Sequence, residues 1–121
     1  MRKAADEQSH EPMFLMVEDD AVLRERQGRA LKERGYKVRT AANYGEAMRR
    51  ATVERPDFAV LDLRMPGPSG LELASDLLKL CPEVKILLLT GAAMPAHPAA
   101  KIAYLKKPAD VDAILEALDL R

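Results

Sequence analysis

Charge of neither sign is in excess in this chain. Nineteen Lys and Arg offset nineteen Asp and Glu, so the formal net charge is zero. That excludes the broad basic footprint on which nucleic-acid binding relies. Tryptophan is absent, and cysteine occurs once, as Cys81. A single thiol closes no internal disulfide, which points to a reducing compartment. Its place on an apolar helical stretch suits a core position better than a reactive one. Long hydrophobic runs are missing as well. A run such as Ile86 to Leu89 is far too short to cross a bilayer. Met1 to Pro12 is polar and charged with no apolar centre, so it does not read as a secretory leader. Residues 1–12 are expected to form a flexible tail. The remainder, 13–121, is enough chain for one domain with one core, expected to be soluble and cytoplasmic.

What is present is organised around Ala59 to Gly70. Apolar residues lead to one acid, Asp62, and then to a turn rich in Pro66, Gly67, Pro68 and Gly70. A short apolar run of this kind reads as a buried strand, and the prolines and glycines stop it. Asp62 therefore stands where a buried strand meets the surface. In an open parallel sheet, ligands bind just outside the carboxyl ends of the strands. An acid there can bind a metal, act as a base, accept a phosphoryl group or cap a turn.

The rest of the chain repeats strand and helix. Met13 to Val17 is a short apolar strand ending in Glu18, Asp19 and Asp20. Ala21 to Arg34 reads as a helix with Val22, Leu23, Ala30 and Leu31 on one side, weakened by Gln27 and Gly28 and stopped by Gly35. Tyr36 to Ala41 alternates apolar and charged residues like a half-exposed edge strand. Asn43 with Glu46 and Ser69 with Glu72 each open a helix in the manner of a capping box. Leu71, Ala74, Leu77, Leu78 and Cys81 form the apolar stripe of the third helix. Val84 to Thr90 and Ile102 to Leu105 read as strands, and Asp110 can cap a last helix carrying Val111, Ile114, Leu115 and Leu118. Alternating strands and helices predict an α/β fold, a five-stranded parallel sheet with helices on both faces.

Polar residues gather at the strand ends. If the strand order is 2-1-3-4-5, the first and third strands are neighbours and Glu18, Asp19 and Asp62 converge. Three adjacent carboxylates repel unless something compensates them. A hard oxygen cage of this kind suits Mg²⁺. Lys107 adds a point charge suited to a phosphate, and Thr90 a hydroxyl. Together they fit phosphoryl transfer with Asp62 as nucleophile. Each alone also has a plain structural reading. The acids can cap a helix, Thr90 can simply end a strand, and Lys107 can simply be solvated.

Four segments carry a family resemblance: Val17 to Asp20; Val60 to Pro66 with Ser69-Gly70; Leu89-Thr90-Gly91; and Tyr104 to Pro108. With these the chain resembles the receiver domains of bacterial two-component response regulators over about Met13 to Leu120. Leu61 to Leu73 and Lys107 to Asp110 further resemble the redox-responsive transcription regulators of the RegA type. The resemblance implies a phosphoacceptor at Asp62. It implies Mg²⁺ held by Glu18, Asp19, Asp62 and the backbone carbonyl of Arg64. It casts Thr90 as the switch hydroxyl, Lys107 as the partner of the phosphoryl group and Tyr104 as the aromatic switch residue. It places a cis peptide bond before Pro108. The implied partner is a sensor histidine kinase, with an effector domain or downstream protein receiving the signal. The domain is expected to be no enzyme in the ordinary sense, although it can catalyse its own phosphorylation and dephosphorylation.

Two rivals stay beside this reading. A haloacid-dehalogenase-type phosphatase also uses an Asp nucleophile, but needs a second acid two residues on, where this chain has Arg64. A receiver-like binding module that no longer takes phosphate would not need the full set of Glu18, Asp19, Asp62, Thr90 and Lys107. Direct nucleic-acid or membrane binding by this segment is not expected. One departure from the family is visible. Only 11 residues, with Pro95 and Pro98 among them, separate Thr90 from Ile102. A helical crossover needs about 10–12 residues, and proline breaks helices. The helix between the fourth and fifth strands is therefore expected to be short or missing, and homodimerisation weak or altered.

Overall fold

The computed structural model describes residues 11–91 and 101–120. Five strands, β1 (Met13–Val17), β2 (Lys37–Ala41), β3 (Phe58–Asp62), β4 (Lys85–Thr90) and β5 (Ile102–Lys106), form one sheet in the order β2-β1-β3-β4-β5. Every pairing is parallel. Among the described residues there are four helices: α1 (Ala21–Glu33), α2 (Tyr44–Val53), α3 (Gly70–Leu80) and α4 (Val111–Ala117). The expected shortening of the helix between the last two strands falls on 92–100, outside the described residues, as does most of the expected tail, 1–10.

Both faces of the sheet are covered, and the strand sequences show why. Leu15, Val17, Ala59, Leu61, Ile86 and Leu88 pack beneath α2 and α3 with Ala47, Ala51, Leu73 and Leu77. Their neighbours Phe14, Met16, Phe58, Val60, Leu87 and Leu89 pack on the other face with Leu31, Ile114 and Leu115. Side chains alternate between faces along a strand, so a strand buried on both sides must be apolar throughout. Each fully buried Leu or Phe contributes about 1.5–3 kcal/mol.

The helix starts follow the expected chemistry. Ser69 and Glu72 form a complete capping box at α3. Asn43 caps α2, but Glu46 reaches past it to the N–H of Ala42. Asp20 caps α1 and Asp110 caps α4. Two apolar assignments need correction. Val22 is 66% exposed and Leu71 43% exposed. The buried stripe of α3 runs through Leu73, Ala74 and Leu77 instead. Both misplaced residues sit in a first helical turn, where the chain entering the helix fixes which side meets the sheet. Gly28, a weak point for the helix in sequence terms, is a buried packing site. A Cβ there would lie 3.3 Å from the Thr40 methyl, so its absence lets α1 lie close on β2.

Candidate functional site

Strand register brings the polar residues together. Val17 pairs with Leu61, so Glu18 and Asp62 emerge side by side where β1 and β3 end. Asp62 pairs with Leu89, which puts Thr90 one step beyond it. Thr90 in turn pairs with Lys106, so Lys107 follows at the same edge. The Lys107 N–H donates to the Thr90 carbonyl at 2.7 Å, which ties the end of β5 to that of β4. The Lys107–Pro108 peptide bond is cis.

The side chains form a closed set. Lys107 Nζ lies 3.2 Å from Asp62 Oδ2 and 3.4 Å from Glu18 Oε1. Asp62 Oδ1 accepts from the Arg64 N–H at 3.2 Å. Glu18 Oε2 accepts from the Asp20 N–H at 3.2 Å. Glu18, Asp62 and Thr90 are 3%, 8% and 1% exposed, so these polar groups belong to the interior, while Asp19 faces solvent. Glu18, Asp19 and Asp62 each offer an oxygen, all within 4.8 Å of one another. Arg64 stands in the turn two residues after Asp62. Tyr104 pairs in register with Leu88 and packs, partly buried, against the core beneath α2 and α3.

Electrostatics follow from this crowding. Burial pushes the Glu18 carboxyl above its ordinary pKa. Asp62 adds to that shift, while the Asp20 N–H and Lys107 oppose it. Burial alone would lower the Lys107 ammonium, but its hydrogen bond to Asp62 and the charges of Asp62 and Glu18 outweigh that, and its pKa is raised. One lysine therefore faces several acids, an arrangement with negative charge to spare for a cation.

Two supports of the site have roles that the sequence does not show. Arg24 Nη1 donates to the Glu18 carbonyl at 2.7 Å and lies 3.4 Å from that of Asp19. Its only sequence signal is its place one helical turn beyond the acids. Gly70 lies against the backbone of Asp62. A Cβ there would come 2.2 Å from the Asp62 carbonyl oxygen and 2.9 Å from Leu63 Cα. Among the described residues no helix is long and apolar enough to cross a membrane.

Comparison with known proteins places this chain among relatives of known family and fold. Residues 14–119 match the family model for the response regulator receiver domain. The photosynthetic apparatus regulatory protein RegA of Cereibacter sphaeroides is 36% identical over 110 residues, covering 87% of this chain and 60% of the relative. The chain thus spans about three fifths of the length of the RegA relatives it matches. A Burkholderia pseudomallei response regulator, solved with a phosphorylated aspartic acid, calcium ion and citrate, is 39% identical with a TM-score of 0.79, over 88% of this chain and 66% of that one. A structure of histidine kinase ThkA in complex with response regulator protein TrrA contains a chain 32% identical to this one, with a TM-score of 0.74, over 89% of this chain and 96% of that one.

Proposed function

The chain belongs to the response regulator receiver domain family, and from that premise we propose that it is a phosphorylation-controlled switch whose Asp62 accepts a phosphoryl group from a sensor histidine kinase in a Mg²⁺-dependent reaction. The observation that carries this reading is the single cluster at the strand ends: Asp62 within reach of Lys107 and beside Glu18 and Asp19. In the transfer, an Asp62 carboxylate oxygen bonds to phosphorus while the phosphorus–nitrogen bond of the donor histidine breaks, its electron pair returning to the imidazole. The Arg64 N–H and Lys107 aim the carboxylate. Lys107 also balances charge on the phosphoryl oxygens.

The donor set fits a hard divalent cation. Glu18, Asp19 and Asp62 would supply the carboxylates, and the family resemblance adds the Arg64 backbone carbonyl as a further ligand. When bound there, Mg²⁺ supplies charge neutralisation for the carboxylates and the incoming phosphoryl group. Thr90 turns its hydroxyl toward the new phosphoryl group. Tyr104 repacks with it, so phosphorylation biases one of two conformations. The same groups support self-catalysed phosphorylation and dephosphorylation. Residues 13–121 act as the receiver unit. Its output passes to an effector domain or a downstream protein rather than to nucleic acid through this segment.

The test is incubation with a small phosphodonor and Mg²⁺, followed by intact-mass measurement. Gain of one phosphoryl group in the parent and none in Asp62→Asn is expected. No gain, or equal gain in the variant, contradicts the reading.

A further inference from the structure

We propose that Arg24 is a positioning residue for the cation: its guanidinium grips the backbone carbonyls of the acid pair and thereby sets where the Glu18 and Asp19 carboxylates point. This rests on the Mg²⁺ site proposed above.

Placement makes the contact. Asp20 caps α1, and the Arg24 N–H closes the first helical hydrogen bond to the Asp20 carbonyl at 2.8 Å. Helical side chains lean back toward the helix N-terminus. Arg24 therefore reaches over the first turn to the two residues just before the cap. It donates to the Glu18 carbonyl at 2.7 Å and approaches that of Asp19 at 3.4 Å. A short bond with a charged donor is stronger than a neutral one. From the other side, the Glu18 N–H donates to the Ala41 carbonyl at 3.1 Å. The Glu18 peptide is thus held at both ends, by β2 and by Arg24.

The charge is in an unfavourable place for the helix itself. Acids suit a helix N-terminus and cations its C-terminus. α2, α3 and α4 follow that rule with Glu46, Glu72 and Asp112 in their first turns. α1 has no acid in its first turn, and Arg24 follows directly. The bonds to the two carbonyls offset that misplacement.

The sign of the effect separates positioning from charge. Arg24 lies close to an acidic cluster, so its charge alone repels a dication. Deleting it would tighten cation binding if electrostatics were all it contributed. Loss of a residue that orients ligands weakens metal affinity by about 10–100-fold.

The experiment is calorimetric titration of the full chain with Mg²⁺ alone, without phosphodonor, at a temperature where every variant is folded. The parent binds. Arg24→Met is expected to bind at least about tenfold more weakly, with Arg24→Lys between the two. Arg26→Met removes a charge from the same helix without touching the acid pair, and should bind as the parent does or slightly more tightly. Unchanged or tighter binding in Arg24→Met overturns the inference, even if its melting temperature falls, since the contact then only ties helix to strand. Absence of Mg²⁺ binding in the parent overturns both this inference and the metal site it rests on.

Discussion

Two turns build the site, and their closest anchors differ. The turn after β1 carries Glu18 and Asp19 and is held by side chains: Asp20 caps α1, and Arg24 reaches the carbonyls. The turn after β3 carries Asp62; side chains tie it too, Asp62 to the Arg64 N–H and Ser69 to the start of α3, but its tightest contact depends on the lack of one. Gly70 lies so close that its missing Cβ leaves room for the Asp62 carbonyl, and its N–H donates to Leu63 at 3.0 Å. A side-chain anchor can be weakened by degrees, whereas a steric one fails at the first methyl group. The acid turn should therefore respond to mutation gradually and the Asp62 turn abruptly.

The largest expected effect is that of Gly70→Ala. Either α3 or the end of β3 must yield to a 2.2 Å clash with backbone. Overpacking of this kind costs about 1–3 kcal/mol, and a 1 Å displacement of a reacting group can cost about 100-fold in rate. Thermal melts and phosphorylation rates should both fall. A lowered melting temperature with a normal rate would mean that α3 alone moved, and the contrast between the turns would be lost.

Cap removal comes next and compares the turns directly. Ser69→Ala and Asp20→Ala each delete a cap, at a cost of about 1 kcal/mol. Denaturant melts should show similar losses. Phosphorylation should slow less than in Gly70→Ala, because neither variant adds an atom against Asp62.

A smaller effect of opposite sign is expected at Glu18. Burial raises its pKa, so the folded protein holds this proton more tightly than the unfolded chain does. That contribution is complete below the ordinary carboxylate pKa and is lost as pH rises through the raised folded value. Above that folded value the ionised carboxylate is a net cost in the metal-free protein. Glu18→Gln should then melt at a higher temperature than the parent in the absence of Mg²⁺. The difference should vanish at pH values below the ordinary carboxylate range. With Mg²⁺ added, the parent should gain stability and the variant little.

The smallest effect lies away from both turns. Hydrogen bonding to Lys37 lowers the Glu54 pKa. Its contribution is present above the ordinary carboxylate pKa and is lost as pH falls through the lowered value. Glu54→Gln should cause a slight loss of stability at neutral pH, absent in acid, and leave phosphorylation unchanged. A changed rate would show that the edge strand β2 communicates with the site.

The same contrast explains what could be read from the sequence. The strand ends were legible because an apolar run that stops at an acid, followed by Pro and Gly, has one plain physical meaning. The caps at Ser69, Asn43 and Asp110 were legible because their chemistry is local. Strand order 2-1-3-4-5 was not legible in the strands themselves: it enters as a supposition under which Glu18, Asp19 and Asp62 meet, supported by the family resemblance. Arg24 was not legible, because an arginine bonding a carbonyl leaves no spacing pattern. Gly70 was visible as a stop signal and as part of the resembling Ser69-Gly70 pair, but its close approach to Asp62 was not, since that depends on a neighbouring element. Val22 and Leu71 join the apolar sides of their helices in sequence yet stand exposed, because apolar periodicity does not fix the phase of a helix in its first turn.

The most direct test of the account is to locate the phosphoryl group. After reaction with a small phosphodonor and Mg²⁺, borohydride reduction converts an acyl phosphate to the corresponding alcohol, and peptide mass spectrometry reads its position. Reduction is expected at Asp62, with Glu18, Asp19 and Asp20 untouched. Reduction at one of those three acids, or at none of the four, would contradict it.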